Sequence, residues 1–421
     1  MFRSTRRRFT NWISNKTKLK PDTDVFFLLD YFLVLSGVQL LTKNGYLRTA
    51  WNVYRTLLGV HVLLMSRKIW SVFQTEDNFQ LIANNMLMCV GCLIIFARCI
   101  FIVRSSEQIK IVRRFVNERK FKADDSFAMT VRQNTYNNTI IVTVVMILNC
   151  VVQSGMILFT ELGEAESLLL PFYLEGLSSS ENRIIQKLYS GMFSVYASYA
   201  STNFLAVYLP MSTLKVELKV VVDAFEKIVH RVDERTVGKN MQPLEDLNEA
   251  VFWEILRDEL TQCIRAHGAV LARVKALKKL TDPTFLLLYY MTMLFIAIGV
   301  IAVLFTPKFD SFNTISLEYT FRYTMEWYVL CYLVSNFNEE HNDIAKKLSQ
   351  FHWGVDLRYS KRFARDYKQI RSMVLMVIMQ SQKSLNFSCG GLFELTMGSF
   401  TAVINKTYTL TTYFWNIKQR G

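Results

Sequence analysis

The chain has 421 residues, of which 51% are hydrophobic, and its mean hydropathy is positive at +0.18. With 31 Phe, 19 Tyr and only 6 Pro, it is too evenly apolar for a soluble two-domain protein, which predicts an integral membrane protein. The net charge of +14 does not indicate a nucleic-acid-binding domain, because Lys and Arg occur in blocks between apolar runs.

The first apolar run, residues 25–41, follows a basic N-terminal stretch. It contains Asp30 and lacks a small-residue cleavage site, so it does not have the pattern of a cleaved signal peptide. We interpret it as a helix of a cytosolic N-terminal segment, residues 1–49. The alternative is that this run is itself the first membrane span.

Seven runs approach the length of about 20 mainly apolar residues that a membrane span requires. The predicted spans are 50–73, 81–103, 139–160, 188–210, 284–305, 319–336 and 390–415. The first span is the weakest, because charged residues such as Arg55, Arg67 and Lys68 interrupt it. The predicted fold class is therefore an all-α protein with seven transmembrane helices.

The basic residues between these spans predict the orientation of the chain. If the N-terminus is cytosolic, the cytosolic segments contain 38 Lys and Arg and the outer segments contain 4, with Lys187 assigned to the edge of the fourth span. Since positive residues remain on the cytosolic side, we expect a cytosolic N-terminus and an extracellular C-terminus, the reverse of a G-protein-coupled receptor. A span at 25–41 in place of 50–73 would move Lys43 and Arg48 outside. Arg98, near the inner end of the second span, is expected to extend to the cytosolic interface.

The cytosolic segments 211–283 and 337–389 are predicted to be helical extensions that form an anchor bundle. Apolar residues recur there at three-to-four spacing, as an amphipathic helix requires: Leu214, Leu218, Val221, Val222, Phe225, Ile228, Val229 and Val232. A second such run begins at Pro243 and leads into the fifth span. The predicted organisation is 1–49 cytosolic, 50–210 spans one to four, 211–283 extensions, 284–336 spans five and six, 337–389 anchor helices, and 390–421 the last span with a short extracellular tail.

The sequence contains no motif typical of catalysis, nucleotide binding or metal binding, so we predict a protein that is not an enzyme and needs no metal or cofactor. The seven cysteines lie mostly within apolar runs and lack disulfide or metal-ligand spacing, which indicates small core residues. His267 has no second His along its helix and is interpreted as a packed residue.

The last span is unusually polar, although a lysine at the centre of a bilayer costs about 2.5–3.5 kcal/mol. At 3.6 residues per turn, the residues that fall near one line are Phe400, Ile404, Thr407 or Tyr408, Thr411 and Trp415, and those that flank it are Asn405, Lys406, Thr409, Thr412 and Asn416. A helix that borders a water-filled path tolerates such groups, but several chains must then surround that path. Alternatively, the threonine hydroxyls bond back to the carbonyl four residues earlier.

A small, mostly apolar ligand would fit the outer halves of spans two, three, four and six, which combine aromatic rings, methionines and a few polar groups. The candidate ligand-binding residues are Ala83, Leu87, Met88, Gln153, Met156, Ile157, Phe193, Ser194, Ala197, Tyr319, Tyr323 and Trp327. Ordinary helix packing is the competing interpretation. Glu318, Arg322 and Glu326 recur every four residues, which predicts ion pairs within one helix.

Two stretches resemble the insect odorant receptor family. They are "MVLMVIMQSQKSLNFSCGGLFELTMGSFTAVINKTYTLTTYFWN" at 373–416 and "QCIRAHGAVLARVKALKKL" at 262–280. The first resembles the family's short helix, turn, glycine-rich patch and last helix. It departs from the family at Ser384-Leu385, where Pro-Leu is usual, and at Thr409, where Ser usually follows Tyr. Phe414-Trp415 differs from the Gln-Phe pattern of the related gustatory receptors.

This resemblance implies a tetrameric, odorant-gated, nonselective cation channel in the plasma membrane of olfactory sensory neurons. The last helix of each subunit would line the pore, with Thr407, Thr411 and Trp415 at the pore and gate. The chain lacks the enlarged second cytosolic loop of the shared coreceptor, so it is expected to be a tuning subunit whose partners are a volatile odorant, the coreceptor and the lipid bilayer. The alternatives are a gustatory-type homotetrameric channel and a G-protein-coupled receptor.

Overall fold

A computed structural model of the chain describes residues 18–20, 23–40, 44–75, 79–159, 168–170, 172, 176–239, 245–305, 311–350 and 360–420. Within these residues the regular structure is helical, apart from one isolated bridge between Ser388 and Glu394. The helices are α1 (Phe27–Leu35), α2 (Gly45–Thr75), α3 (Phe79–Arg104), α4 (Ser106–Glu118), α5 (Ser126–Phe159), α6 (Ser179–Gly191), α7 (Phe193–Glu226), α8 (Ile228–Lys239), α9 (Glu245–Phe305), α10 (Ser311–Ser349), α11 (Ala364–Ser381) and α12 (Met397–Arg420).

The all-α prediction is confirmed, whereas the seven spans and the orientation of the termini remain predictions. Two described helical stretches are long and apolar enough to cross a membrane, namely α5 and Glu249–Ala297 within α9. A third candidate is the pair Met88–Arg104 and Ser106–Glu118, which is bent by 61° at a short break. The helices α2, α10 and α12 all carry charged side chains within their apolar runs, which lowers their hydropathy.

The first apolar run forms a helix that is short for a membrane span. Its helix α1 has 9 residues, which rise about 14 Å, roughly half the thickness of the hydrocarbon core. Leu29, Phe32 and Leu33 are buried, and the Thr202 hydroxyl of α7 donates a hydrogen bond to the Phe32 carbonyl at 3.0 Å. Helix α1 therefore packs against α7.

Helix α7 lies at the centre of the bundle and contacts α1, α3, α5, α9 and α10. Alanine and serine residues of its first half, such as Ala197, Ala200 and Ser201, are fully buried and allow neighbouring helices to approach closely. Its second half carries the apolar face described above, of which Leu214, Leu218 and others are buried. The helical period in the sequence thus agrees with a helix that continues to Glu226.

Helix α9 is continuous over 61 residues, which corresponds to about 90 Å. It includes Pro283 and joins the second amphipathic run to the predicted fifth span. Pro243, the predicted start of that run, lies outside the described residues. A buried bidentate ion pair between Arg132 and Glu217, at 2.8 and 2.7 Å, joins α5 to α7 near this region.

The last helix begins at Met397 rather than at 390, because residues 388–394 form a tight turn. Gly390 has a φ of +60°, which side-chain-bearing residues rarely adopt, and its amide donates to the Asp282 carbonyl at 3.0 Å. A Cβ at Gly390 would lie 2.6 Å from the side chain of Leu286. The glycine is therefore required for the turn to pack against α9.

Candidate functional site

Polar residues of α5, α7 and α10 form a network inside the bundle. Arg322 donates to the side chains of Asn149 (2.9 Å), Gln153 (3.3 Å) and Ser201 (2.9 Å). Glu318 accepts hydrogen bonds from the amides of Asn149 (2.7 Å) and Gln153 (2.6 Å). The predicted ion pairs within α10 are therefore wrong: these side chains bond to neighbouring helices instead. Gln153, a candidate ligand-binding residue, lies at the centre of the network.

Arg98 does not extend to the interface as predicted. Its side chain is fully buried and donates from Nη2 to Glu326, which is 5% exposed. Arg98 Nε and Nη1 and Glu326 Oε2 have no hydrogen-bond partner among the described residues. Burial of an ion costs several kcal/mol, and the opposite charge on α10 offsets that cost more effectively than a long reach to the surface.

An aromatic stack lies beside this ion pair. The Phe295 ring of α9 lies 4.8 Å from Tyr323 and 5.8 Å from Tyr319, measured between ring centroids. Trp327, one turn further along α10, contacts Tyr289 at 5.7 Å. Tyr323 Oη and Trp327 Nε1 are buried and have no hydrogen-bond partner among the described residues. Buried donors of this kind normally have a partner, so this stack has hydrogen-bonding capacity that the described protein atoms do not use.

A second aromatic cluster surrounds Phe193. The His61 ring lies 4.8 Å from the Phe193 ring, and its Nδ1 lies 3.2 Å from the Tyr196 hydroxyl. His61 Nε2 lies 3.2 Å from the Tyr189 carbonyl. The neighbouring Ser194 hydroxyl is buried without a partner among the described residues. The candidate ligand-binding residues therefore fall into two clusters rather than one.

The other candidate residues whose side chains are described are buried or partly buried. Ile157 and Ala197 are buried, and the Ala197 carbonyl lies 3.5 Å from Arg322 Nη2. Met88 and Met156 are partly buried against the core. The side chains of Ala83 and Leu87 lie outside the described part of the structure.

Sequence patterns did not identify Phe295, Tyr289 or His61 as members of these clusters. Phe295 and Tyr289 belong to an apolar run in which each aromatic residue resembles ordinary core, and His61 is a single histidine within the first predicted span. Only the packing of α9 against α10, and the contacts of His61 with Phe193 and Tyr196 of α7, bring them to the candidate residues.

The threonine hydroxyls of α12 bond back to their own helix, as the alternative interpretation proposed. Thr407 donates to the Val403 carbonyl at 2.5 Å and Thr411 to the Thr407 carbonyl at 2.8 Å. Thr407 is only 5% exposed because it faces α9 and α10. This placement disagrees with a pore-facing Thr407, since a side chain covered by its own chain cannot face a path between chains.

The exposed face of α12 carries a different polar stripe. Asn405, Thr409, Thr412 and Asn416 are all exposed, and their spacing of four, three and four residues places them on one side of the helix. Thr411 is partly exposed at the edge, and the side chain of Trp415 lies outside the described part.

One contact path connects the aromatic stack with α12. Trp327 contacts the Tyr289 ring, and the Tyr289 hydroxyl lies 3.1 Å from the Lys406 ammonium. Tyr289 also contacts Phe393 in the turn before α12, at 5.0 Å between centroids. A displacement of Trp327 would therefore reach α12 through a single intervening side chain.

Comparison with known proteins identifies the family. The family model described as 7tm Odorant receptor matches residues 78–408. Odorant receptor 22a of Drosophila melanogaster is 23% identical over 166 residues, which are 39% of this chain and 39% of that receptor.

Solved structures with the same fold include the insect olfactory receptor OR5 from Machilis hrabei, with a TM-score of 0.70 and 11% identity over 97% of this chain and 99% of that chain. Its complex with eugenol has a TM-score of 0.69 and 11% identity, over 94% and 100% of the two chains. The matching family model and the curated relative are odorant receptors, and the solved structures share the fold of this chain. Because the family model covers well over half of the chain, this protein belongs to the insect odorant receptor family.

Proposed function

We propose that this chain is the odorant-binding subunit of a ligand-gated, nonselective cation channel. The observation that carries the proposal is the aromatic stack of Phe295, Tyr319 and Tyr323, with Trp327 one turn further along α10. Tyr323 and Trp327 have unused buried donors, and Trp327 lies one side chain, Tyr289, away from α12. Its ligand is a small, largely apolar volatile molecule. The similar receptor structure in complex with eugenol supports this class of ligand.

The ligand would insert between the aromatic rings and accept a hydrogen bond from Tyr323 or Trp327. Aromatic rings supply most of the contact area, and a few polar groups fix the orientation of the ligand. A molecule of about ten heavy atoms that gains a few tenths of a kcal/mol per atom binds with modest affinity. Modest affinity suits rapid and reversible sensing.

Gating would follow from tighter binding of the odorant to the open state. An odorant that inserts between the aromatic rings would shift Trp327 against Tyr289. This shift would alter the contact of Tyr289 with Lys406 on α12. A coupling free energy of about 1–3 kcal/mol between pocket and gate is sufficient for a graded response.

The pore would lie between four subunits, with α12 of each subunit beside it. We place its lining on the exposed stripe of Asn405, Thr409 and Thr412, with Thr411 at the edge and Trp415 further along the helix. Thr407 supports the helix from behind. The chain would act as a tuning subunit together with the coreceptor, in the plasma membrane of olfactory sensory neurons.

Current recording in cells that express this chain with and without the coreceptor tests the function. We expect a panel of volatile molecules that includes eugenol to evoke cation current only when both subunits are present. Equal currents without the coreceptor would indicate a homotetramer of the gustatory type. An extracellular N-terminus, detected with terminal tags in intact cells, would instead favour a G-protein-coupled receptor.

Replacing Tyr323 or Trp327 by alanine is expected to change the rank order of odorants. The milder change Tyr323→Phe removes only the hydroxyl. It should weaken the binding of odorants with an acceptor oxygen by about 0.5–1.5 kcal/mol and leave the binding of hydrocarbon odorants unchanged. Dose–response curves for matched oxygenated and hydrocarbon odorants measure this difference.

The control is Phe321→Ala, on the same helix, because Phe321 is 68% exposed and lies away from the stack. Surface labelling establishes that each variant reaches the membrane. Unchanged tuning in both Tyr323 and Trp327 variants, or an equal change in the Phe321 variant, would exclude this pocket.

A further inference from the structure

A cleft of about 580 Å³ lies between α2, α3 and α7, near the end of α3 at Arg104. The segment after α1 closes one side of it through Gly37 and Val38, and Tyr199 of α7 contributes to the lining. None of the candidate odorant-binding residues lines this cleft. It is therefore a second cavity, separate from the aromatic stack.

The cleft has a basic end and an apolar wall. Arg55 and Arg104 lie at the basic end, whereas Phe96, Ile100 and Val103 of α3 form the wall. Phe96 lies about 12 Å along the helix axis from Arg104. Ile100 and Val103 are 42% and 46% exposed, so the wall opens toward the surface of the bundle that would contact lipid chains.

The charge of the cleft favours an anionic occupant. No carboxylate belongs to its described lining, and neither Arg55 nor Arg104 forms an ion pair with the described residues. The Arg55 guanidinium lies 4.8 Å over the ring of Trp51. Guanidinium groups bind phosphate oxygens through paired hydrogen bonds. The N-terminal stretch of the chain is itself basic, so it does not match this end of the cleft.

We propose that this cleft binds one anionic phospholipid of the cytosolic leaflet. Its phosphate lies between Arg55 and Arg104, and an acyl chain follows the wall formed by α3. Basic pockets between membrane helices are suited to anionic head groups on the cytosolic side. The choice of leaflet rests on the orientation assumed in the proposed function, whereas the binding itself does not require channel activity.

Native mass spectrometry of the purified full-length receptor in detergent tests this inference. Dioctanoyl phosphatidylserine is the anionic probe and dioctanoyl phosphatidylcholine is the zwitterionic reference. We expect phosphatidylserine to bind more tightly than phosphatidylcholine. Each of Arg55→Gln and Arg104→Gln should reduce the ratio of the two affinities roughly fivefold. Glycerophosphoserine, which lacks acyl chains, should bind much more weakly than the lipid.

The matched control is Arg114→Gln, which removes the same charge from an exposed position of α4 outside the cleft. Arg104 is exposed at the end of its helix, so Arg104→Gln decides the matter if Arg55→Gln does not fold. Equal binding of the two lipids, an equal loss in Arg114→Gln, or equal binding of glycerophosphoserine would overturn the proposal. Selective lipid binding by a receptor that gives no odorant current would support the cleft and contradict only the channel function.

Discussion

Replacing Glu326 by leucine is expected to destabilise the folded receptor by about 3–5 kcal/mol, because it leaves the buried Arg98 without its anionic partner. Since folded proteins are stable by only about 5–15 kcal/mol, and a loss of about 1–2 kcal/mol already lowers abundance several-fold in cells, surface expression of the variant should fall several-fold or more. Thermal unfolding of the detergent-solubilised receptor and surface labelling measure the two effects.

The double variant Arg98→Met with Glu326→Leu separates the charge from the packing. Removal of both charges leaves neither ion unpaired, so we expect the double variant to recover most of the stability that Glu326→Leu loses. Glu107→Leu is the control, because the Lys110–Glu107 pair has side chains that are 52% and 71% exposed, and such pairs contribute little. A single variant as stable as the wild type, or a double variant no better than the single one, would contradict a buried pair.

The sequence predicts the helical content well and the pairing between helices poorly. The pattern of apolar residues after Leu214 can be recognised from positions only three or four residues apart, and the corresponding part of α7 is helical, as this pattern predicts. Arg98 and Glu326 are 228 positions apart. No local pattern shows that α3 and α10 bring them together. From the sequence alone, an arginine near a helix end that is buried in an ion pair cannot be distinguished from one that extends to the interface.

The histidines of the predicted anchor bundle show the same limit. His267 and His341 are 74 positions apart, yet their ring nitrogens lie 3.3 Å apart in the structure. Burial, followed by the neighbouring His341, lowers the pKa of His267 to about 4. Helix α9 has no second histidine, but this does not exclude a histidine partner on another helix, here His341 of α10.

The orientation of α12 also required the tertiary structure. The period of 3.6 residues correctly places Thr407 and Thr411 on one side of a helix. It does not reveal that this side faces α9 and α10, because polar residues occur on both sides of α12. The exposed stripe of Asn405, Thr409 and Thr412 becomes apparent only once the packed side is known.

Changing Thr409 to lysine is expected to reduce odorant-evoked cation current at least tenfold, whereas Thr409→Asp should maintain or increase it. A lysine ammonium about 5 Å from a permeating cation raises its energy by about 3 kcal/mol at an effective dielectric constant of about 20. An aspartate at the same distance lowers that energy, as acidic rings do in cation channels. Current relative to surface expression, together with the reversal potential, measures the difference.

Cysteine substitution provides the control, because the same Thr→Cys change, with the same change in side-chain volume, can be made on the exposed and on the buried side of α12. A cationic thiol reagent should block current through Thr409→Cys and leave Thr407→Cys unaffected, since Thr407 is covered by its own chain. The native cysteines are buried or partly buried, which limits background reaction. Block at position 407 without block at 409 would place the path on the opposite side of the helix. If neither position were blocked, and if lysine and aspartate at 409 gave equal currents, α12 would not border an ion path.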